Sequence, residues 1–348
     1  MNTILVTGGA GFVGSHLAMG MKARYQDTRV IAFDNLRRRG AELNLARLNE
    51  AGVEFLHGDI RNPGDLSNVG SFDLLLECSA EPSVLAGYDS APTYVLDTNL
   101  TGTLHCLEAA RQHRSAILFL STSRVYPMET IASLNYEEGE TRLELAAEQP
   151  VPGASAVGIS EAFPLEGTRS LYGATKLASE LIMNEYLAMY NMRGVINRCG
   201  ILTGPWQMGK VDQGVVVLWA ARHIYGGQLK YIGYGGEGKQ VRDMLHVDDL
   251  LDLILHQIEN LDALSGRTFN VGGGRAVSAS LQEYTGYSIP IAQEPENRAA
   301  DIPLYITDNR RVTEATGWKP TRTVPVIMDD ICRWITDNRD SLAPILNG

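Results

Sequence analysis

The stretch VTGGAGFVGSHLA, from Val6 to Ala18, follows a β-rich apolar segment and leads into a helical pattern. It places Gly9, Gly11 and Gly14 in the spacing Gly-x-Gly-x-x-Gly. Glycines are required at such a junction because the turn is tight, the backbone must approach a pyrophosphate closely, and the helix must pack on the sheet. The N-terminus of the helix then faces the phosphate charge. The stretch therefore predicts a dinucleotide-binding strand, turn and helix.

Short β-rich runs alternate with helical patterns through the first two hundred residues. The runs are TILVTG, RVIAFD, VEFLHGD, DLLLEC, AILFLS and RGVINR. This alternation is typical of an α/β fold with a doubly wound parallel sheet, the Rossmann type. The fold predicts a ligand crevice at the carboxyl ends of the strands.

The second of these runs ends in Asp34, 20 residues beyond Gly14. A carboxylate at this place binds the ribose hydroxyls of NAD. Three arginines, at positions 37 to 39, follow closely and leave NADP open, because a guanidinium accepts a 2′-phosphate. Asp34 would repel that phosphate, so we predict NAD as the cofactor.

The pattern changes along the chain and indicates two domains. We predict a Rossmann domain over residues 1–200 and a smaller mixed α/β lobe over residues 201–348, with part of 242–272 as a candidate to return to the first domain. Residues 126–168 are acidic and rich in proline, which predicts a long surface excursion that is functional. The lobe is expected to contain helices near 213–225, 248–261 and 324–338.

The composition is that of an ordinary globular protein. The chain has 348 residues, of which 44% are apolar, and a formal net charge of −11. The apolar content suits a well-buried core. The negative charge argues against a general attraction to nucleic acid or to an anionic membrane, so an anionic ligand must be bound by a specific pocket.

Cysteine usage and the start of the chain favour a cytoplasmic protein. The strand-like ILVTG lies so close to Met1 that no room is left for a signal segment, and no apolar run approaches membrane-spanning length. His246 has no second histidine or cysteine at ligand spacing, so we predict no metal. Reduced core thiols are expected at the four cysteines, which show no CxxC spacing: Cys78, Cys106, Cys199 and Cys332.

Tyr172 and Lys176 are four residues apart in an apparent helix that begins near Ser170. They share one helical face, and an ammonium together with a positive nicotinamide ring stabilises a phenolate, so the pair is a candidate general base with a tuning lysine. A solvated helix face is the alternative. In FLSTSRVYP, a strand end presents Ser121 and Thr122, and a hydroxyl there could bond the reacting substrate group; a polar strand end is the alternative.

These features together resemble the extended short-chain dehydrogenase/reductase family. The resemblance covers nearly the whole chain and is carried by TGGAGFVG, GDIR (58–61), NLTGT (99–103), STSRVY (121–126), YGATK (172–176), LTGP (202–205) and GKQVRDMLHVDDL (238–250). It implies Thr122, Tyr172 and Lys176 as the catalytic residues and a nucleotide-sugar substrate. It also implies a homodimer, in which the Tyr/Lys helix and the helix near Asn99 pair with a second subunit.

The binding residues expected from the motifs and the resemblance form two sets. The cofactor set consists of Gly8, Gly9, Gly11, Phe12, Val13, Gly14, Asp34, Asn35, Asp59, Ile60, Ser79, Ala80, Asn99, Ser121, Tyr172 and Lys176. The substrate set consists of Glu81, Ser83, Ser123, Arg124, Arg242 and Arg298. Arginine forks suit a diphosphate, but a pair between Arg242 and Asp243 or another acid is the alternative, and residues 81–83 could form a plain loop.

The residues after Thr122 indicate the branch of the family. Dehydratases of this family carry Asp-Glu there for elimination of water, whereas this chain has Ser123 and Arg124. An epimerase that removes and returns a hydride is therefore favoured, and the chain is most similar to the CDP-paratose 2-epimerase group. Ile201 stands where many members have asparagine, and residues 77–80 replace a histidine-containing stretch. A UDP-sugar 4-epimerase, another dehydratase or reductase, and a non-catalytic NAD(P)-sensing protein stay open.

Overall fold

The computed structural model describes residues 1–88, 90–209, 213–284 and 289–347. The chain divides into two compact units. The first contains Met1–Val125, Ser170–Arg198 and Leu250–Phe269. The second contains Tyr126–Arg169, Cys199–Asp249 and Asn270–Gly348.

Strands and helices alternate along the described residues. The strands are β1 Thr3–Thr7, β2 Arg29–Asp34, β3 Glu54–His57, β4 Leu74–Glu77, β5 Ala116–Thr122, β6 Tyr136–Glu138, β7 Leu143–Leu145, β8 Ala154–Ser155, β9 Gly158–Ile159, β10 Gly194–Cys199, β11 Ile201–Thr203, β12 Leu229–Ile232, β13 Val241–His246, β14 Thr268–Val271, β15 Ser278–Ser280, β16 Ile291–Glu294 and β17 Leu304–Tyr305. The helices are α1 Phe12–Arg24, α2 Asn44–Glu50, α3 Pro63–Ser67, α4 Thr93–Leu96, α5 Gly102–His113, α6 Met128–Ala132, α7 Leu171–Tyr190, α8 Val215–Tyr225, α9 Val247–Glu259, α10 Leu261–Leu264, α11 Leu281–Tyr284, α12 Arg310–Thr316, α13 Val324–Asp337 and α14 Arg339–Leu346.

The largest sheet has seven strands in the order β14-β10-β5-β4-β1-β2-β3. β1 pairs in parallel with β2 and with β4, so the direction in which the chain crosses the sheet reverses between β1 and β4. In doubly wound sheets the ligand crevice opens at the carboxyl ends of the strands at this point. The segments after Thr7 and after Glu77 begin there. The predicted doubly wound α/β fold is confirmed, and each of the six predicted runs is a strand of this sheet.

The core of the first unit lies between this sheet and the helices that pack on it. Strand residues of the core are aliphatic or aromatic, as is typical of central parallel strands that are buried on both faces. Members of one buried cluster are Leu5, Ile31, Phe33, Leu75, Ile117 and Phe119 from the strands and Cys106, Leu107 and Met183 from α5 and α7. This packing holds α7, which carries Tyr172 and Lys176, in contact with the sheet.

The second unit contains smaller sheets. β13 pairs in parallel with β11 and β17 and antiparallel with β15, while β12 pairs with β16. β6 pairs with β7, and β8 with β9. The predicted helices near 213–225, 248–261 and 324–338 are present as α8, α9 and α13.

The segment Tyr126–Arg169 differs from its predicted place in the first domain. It is counted with the second unit because its contacts lie there: Leu143 N donates to Lys239 O (3.1 Å), and Ile159 N donates to Ile306 O (2.8 Å). The buried Tyr126 hydroxyl donates to Asn270 Oδ1 (2.7 Å). The predicted boundary of 1–200 and 201–348 therefore needs correction at this segment, and Leu250–Phe269, within the stretch 242–272, lies in the first unit.

His246 ends β13 as a buried hydrogen-bonding residue. Its Nδ1 accepts the N–H of Asp248 (3.1 Å), and the carboxylates of Asp248 and Asp330 lie 3.5 and 3.8 Å from its ring nitrogens. Burial lowers the pKa of His246 below 6.5, although the two carboxylates act in the opposite direction. A proton on Nδ1 would displace the Asp248 N–H that this nitrogen now accepts, which also disfavours the charged imidazole.

Stability is therefore expected to fall as the pH falls below about 6.5, because the unfolded chain binds the His246 proton more readily than the folded chain. Above that pH the contribution of His246 is complete. His246→Asn keeps an acceptor for Asp248 N but does not titrate. Urea unfolding between about pH 7 and about pH 5 should show a smaller loss of stability for the variant than for the parent. Equal losses would contradict the assignment.

Candidate active site

The glycine loop joins β1 to α1 at the predicted crevice. Gly8 has φ +63°, and a Cβ at Gly9 would lie 2.6 Å from Ala32 Cα. A Cβ at Gly14 would overlap the carbonyl oxygen of Gly8. The loop is closed by a hydrogen bond from Gly11 N to Gly8 O (3.0 Å), and the first turn of α1 carries no acidic residue. The start of α1, with the predicted residues Phe12 and Val13, thus suits an anionic phosphate.

Asp34 lies at the carboxyl end of β2, beside this loop. Its Oδ2 accepts the N–H of Ala10 (3.1 Å), and its Oδ1 accepts the N–H of Leu36 (2.8 Å). Burial raises the pKa of Asp34, while these hydrogen bonds oppose the rise. Each carboxylate oxygen has a second lone pair, so the fixed carboxylate retains acceptors for ribose hydroxyls. The glycine loop and Asp34 together fit a bound NAD.

Two of the predicted cofactor residues, Asn35 and Asp59, are bound to each other. Asp59 forms an ion pair with Arg61 (2.6 Å) and accepts the Asn35 Nδ2 donor (3.0 Å). Arg61 lowers the pKa of Asp59 to about 2. The side chain of Ile60 is buried, and a Cβ at Gly102 would lie 2.5 Å from its Cδ1. The structure thus places the Ile60 side chain in the core, where it packs on α5.

Three arginines, at positions 37 to 39, were the reason to consider NADP as the cofactor. One of them contacts an aromatic ring. The Arg37 guanidinium lies 3.9 Å from the ring centroid of Tyr94, and Arg61 lies 4.9 Å from the same centroid. Such cation–π contacts stabilise a guanidinium over a ring. A 2′-phosphate would have to compete with Tyr94 for Arg37 and would face the carboxylate of Asp34.

Asn99 supports the loop after β4. Its Oδ1 accepts the N–H of Glu81 (2.8 Å), its Nδ2 donates to Glu81 O (3.0 Å), and the residue has no exposed surface. A π-helical turn, Asp97–Thr101, contains Asn99, and the Asn99 carbonyl accepts the hydroxyls of Thr103 and Ser179. The amide predicted to bind the cofactor is therefore occupied by the backbone of Glu81, so Asn99 positions this loop.

Thr122 ends β5, and its Oγ1 accepts the N–H of Arg124 (3.1 Å). Because a hydroxyl has one donor and two acceptor positions, this bond leaves the Thr122 O–H as a donor. The predicted neighbour Ser121 is different, since its hydroxyl donates to the buried carboxylate of Glu180. The Ser121 side chain therefore points into the core, and contact between Ser121 and the cofactor stays a prediction.

Tyr172 and Lys176 lie in the first turns of α7, which Ser170 caps by accepting the Gly173 N–H (3.3 Å). Lys176 Nζ donates to Leu120 O (3.0 Å) and to Ser79 O (3.4 Å). The side chain of Lys176 is only 2% exposed. The alternative of a solvated helix face is therefore wrong for Lys176, and its ammonium lies at the carboxyl ends of β4 and β5.

The predicted substrate residues of the first unit form short local turns. Glu81 Oε1 accepts the N–H of Ser83 (3.2 Å), and Ser83 Oγ accepts the N–H of Leu85 (3.2 Å). Ser123 and Arg124 lie in a 3₁₀ turn directly after β5. Glu81 is half-buried, as are Ser123 and Arg124. The substrate role of these residues stays a prediction.

Arg242 lies in β13 of the second unit and is bound by other groups. Its Nη2 contacts Asp301 Oδ1 (3.0 Å) and Ile302 O (2.6 Å), and its Nη1 donates to Val241 O (2.9 Å). The structure thus shows the pairing with an acid, and that acid is Asp301. Arg298 is half-buried, and its carbonyl accepts the N–H of Asp301 (3.4 Å). Diphosphate binding by Arg242 requires an exchange of partners and stays a prediction, as it does for Arg298.

Sequence reasoning missed a buried ionic network behind α7. The Glu180 carboxylate accepts two hydrogen bonds from Arg198 Nε and one from Arg198 Nη2, at 2.7 to 3.1 Å, in addition to the Ser121 hydroxyl. The spacing held a signal, because Tyr172, Lys176 and Glu180 follow one another at four-residue intervals on one helical face. Two charged residues in succession on the buried face of a helix indicate buried partners.

The sequence profile of the NAD dependent epimerase/dehydratase family matches residues 4–272. The chain belongs to this family. The profile covers the glycine loop, Asp34, the strand end at Thr122 and the Tyr172/Lys176 helix of this epimerase/dehydratase. The predicted cofactor, NAD, and the predicted relationship to the extended short-chain dehydrogenases/reductases are thereby confirmed.

Known relatives match this epimerase/dehydratase over nearly its full length. It is 32% identical to the CDP-paratose 2-epimerase of Salmonella typhi, across 91% of this chain and 94% of that protein. It is 26% identical to the UDP-glucose 4-epimerase of Erwinia amylovora, across 97% and 98%. The structure of the dTDP-glucose 4,6-dehydratase DesIV from Streptomyces venezuelae, solved with NAD bound, is 26% identical, with a TM-score of 0.77 and 99% coverage of each chain.

No helix in the ranges given above has both the length and the apolar character needed to cross a membrane. Within the same ranges, no three or more His, Cys, Asp or Glu side chains are grouped so that they could hold a metal ion. The cytoplasmic location and the lack of a metal stay predictions.

Proposed function

We propose that this member of the family is a nucleotide-sugar epimerase that uses NAD to oxidise one sugar hydroxyl to a ketone and then restores it with inverted configuration. The site at the end of β5 carries the proposal. There the Thr122 hydroxyl is followed by Ser123 and Arg124 in a 3₁₀ turn, without the carboxylates that elimination of water requires. The buried Lys176 donates to the carbonyl of Leu120 in the same strand.

The best-supported substrate is CDP-paratose or CDP-tyvelose, epimerised at carbon 2. The 32% identity to the CDP-paratose 2-epimerase of Salmonella typhi supports this choice. A 3-deoxy sugar has no hydroxyl at carbon 3, and a ketone at carbon 4 would not acidify carbon 2. Direct oxidation at carbon 2 is therefore the economical route.

Three side chains of the first unit would perform the proton chemistry. Thr122 donates its O–H to the reacting sugar oxygen, because the hydrogen bond from Arg124 N uses an acceptor position of the hydroxyl and leaves its O–H available. Tyr172, as the phenolate, takes the hydroxyl proton and later returns it. Lys176 stabilises the phenolate from one turn further along α7. When bound, NAD supplies the hydride acceptor of the first half-reaction and the hydride donor of the second.

The reaction is tested with a panel of CDP-, UDP-, dTDP- and GDP-sugars in deuterated water. We expect the protein to epimerise a CDP-sugar at carbon 2. The product should contain no solvent deuterium bound to carbon, because the hydride returns from the cofactor. A substrate labelled with deuterium at carbon 2 serves as the control and should keep its label. Mass spectrometry and NMR read both results. A deuterated keto sugar lighter by one water would show a dehydratase, and no conversion of any sugar would contradict the proposal.

A UDP-sugar 4-epimerase is the second candidate. The 26% identity to the UDP-glucose 4-epimerase of Erwinia amylovora supports it. The same panel distinguishes the two activities, since inversion at carbon 4 of a UDP-sugar without inversion of a CDP-sugar would favour this candidate. The residues that handle the proton would be the same in both reactions.

A homodimer is part of the proposal. Exposed apolar side chains lie on α7, where Leu181 is 60% exposed and Met189 is 68% exposed, and Tyr190 is exposed as well. α7 packs beside α5 in the first unit. Large apolar side chains on an exposed helix face are typical of an interaction surface, which supports pairing of this helix with its copy in a second subunit.

A further inference from the structure

Glu77 brings a second buried charge to the candidate active site. It ends β4, in register with Thr7 of β1 and Phe119 of β5, and it has no exposed surface. Its Oε1 accepts the N–H of Ser79 (3.1 Å), and its Oε2 lies 3.7 Å from Lys176 Nζ. Among the residues that the structure describes, Oε2 has no hydrogen-bond partner. The carboxylate is thus held by its own loop and directed toward the ammonium.

The Lys176 ammonium and the Glu77 carboxylate compensate each other's buried charge. The ammonium donates to the carbonyls of Leu120 and Ser79 and lies 4.5 Å from the ring centroid of Phe119. Carbonyl oxygens and a ring face stabilise a cation without neutralising it, and an uncompensated buried charge is costly. A carboxylate at 3.7 Å supplies the neutralisation.

Another titratable group beside Glu77 is the thiol of Cys106 on α5. Burial raises the pKa of Cys106 well above its ordinary value, so this thiol stays protonated and adds no charge. On the neighbouring strands, Thr7 and Phe119 carry no charge. Burial also raises the pKa of Glu77, and the Lys176 ammonium opposes that rise.

We propose that Glu77 is a positioning residue, whose carboxylate holds the Lys176 ammonium at the carboxyl ends of β4 and β5 and sets the net charge that acts on the Tyr172 phenol. The inference rests on the proposed function, in which Tyr172 exchanges a proton with the sugar. Lys176 alone favours the phenolate, and Glu77 offsets part of that effect. The pair thereby determines the pH at which Tyr172 becomes a base.

Glu77→Gln tests this inference, because it retains an acceptor for Ser79 N and removes only the charge. The Tyr172 phenol is titrated by tyrosinate absorbance in the NAD-saturated protein, as the difference between each protein and the same protein carrying Tyr172→Phe. Removal of one unit charge changes the pKa of a neighbouring group by about one unit at an effective dielectric constant of about 20. We therefore expect the Tyr172 titration to move to lower pH by about one unit. The low-pH limb of the turnover profile should move with it.

Two comparisons make the result decisive. Glu185→Gln removes the same charge from an exposed position on α7 and should leave the titration unchanged. Glu77→Asp withdraws the carboxylate from Lys176 by one methylene and should move the titration in the same direction by less, which provides a test if Glu77→Gln does not fold. An unchanged Tyr172 titration in a folded Glu77 variant would overturn the inference.

The titration separates this inference from the proposed function, because it needs no substrate. A shifted titration in a protein that converts no nucleotide sugar would support the role of Glu77 and contradict the epimerase. If the protein is an active epimerase and the Tyr172 titration is the same in the Glu77 variants as in the parent, the result would support the function and overturn the positioning role.

Discussion

Tyr172→Phe is expected to lower kcat for the nucleotide sugar by about 10²- to 10⁴-fold, the usual contribution of a positioned general acid–base group. The substitution removes the phenolic oxygen and leaves the ring on α7. NAD should remain bound, because the glycine loop and Asp34 hold the cofactor at the ends of β1 and β2. Turnover is measured by NMR of the sugar, and bound NAD by absorbance after the protein is denatured.

Tyr186→Phe is the matched control on the same helix. Tyr186 lies beside Glu108 and Tyr190, where it packs edge-to-face on the Tyr190 ring (5.2 Å between centroids). Loss of its hydroxyl should leave kcat unchanged. If Tyr172→Phe kept kcat within about threefold of the parent, the phenol could not be the base. A protein that converts no sugar and whose biological output survives Tyr172→Phe would favour the NAD(P)-sensing alternative.

Glu180→Ala is expected to destabilise the protein by about 3–5 kcal/mol, because it leaves the buried guanidinium of Arg198 without its carboxylate. The Ser121 hydroxyl loses its acceptor in the same step. Because Glu180 joins α7 to β5 and β10, we also expect the variant to lose the placement of Lys176 against Leu120. Urea unfolding of the NAD-free protein measures the stability.

Glu185→Ala provides the comparison for this loss. Glu185 is exposed on the same helix, so its removal should change the free energy of unfolding by less than about 0.5 kcal/mol. The double variant Glu180→Leu with Arg198→Met removes both charges and should recover much of the stability, since a buried pair replaced by apolar groups is often neutral. Equal stability of Glu180→Ala and Glu185→Ala would show that the network contributes little.

Local patterns were sufficient for the parts of the site that lie close together in sequence. The glycine spacing after β1, Asp34 at the end of β2, and the four-residue interval from Tyr172 to Lys176 each predicted their place in the fold. These features depend on the geometry of one turn, one strand end or one helix. The residues of one strand and of the helix that follows it are therefore enough to predict where these site residues lie in the fold.

Contacts between distant segments explain what local patterns left unpredicted at three of the site residues. Asn99 was assigned to the cofactor, but its amide bonds the backbone of Glu81, 18 positions away. Ser121 was assigned there as well, but its hydroxyl bonds Glu180, 59 positions away. Ile60 occupies a motif position, yet its side chain packs on α5. The periodicity of the sequence does not predict which polar group a buried side chain will bind.

The amino-acid sequence by itself determined the doubly wound sheet, the dinucleotide loop and the helical face shared by Tyr172 and Lys176, because hydrophobic period and glycine spacing act within a few residues. Only the tertiary structure decided that Lys176 is buried beside Glu77, that Glu180 binds Arg198, and that Tyr126–Arg169 belongs with the second unit. The physical reason is that the energy of a buried charge depends on its distance from every neighbour in space, and those neighbours come from segments that the fold alone brings together.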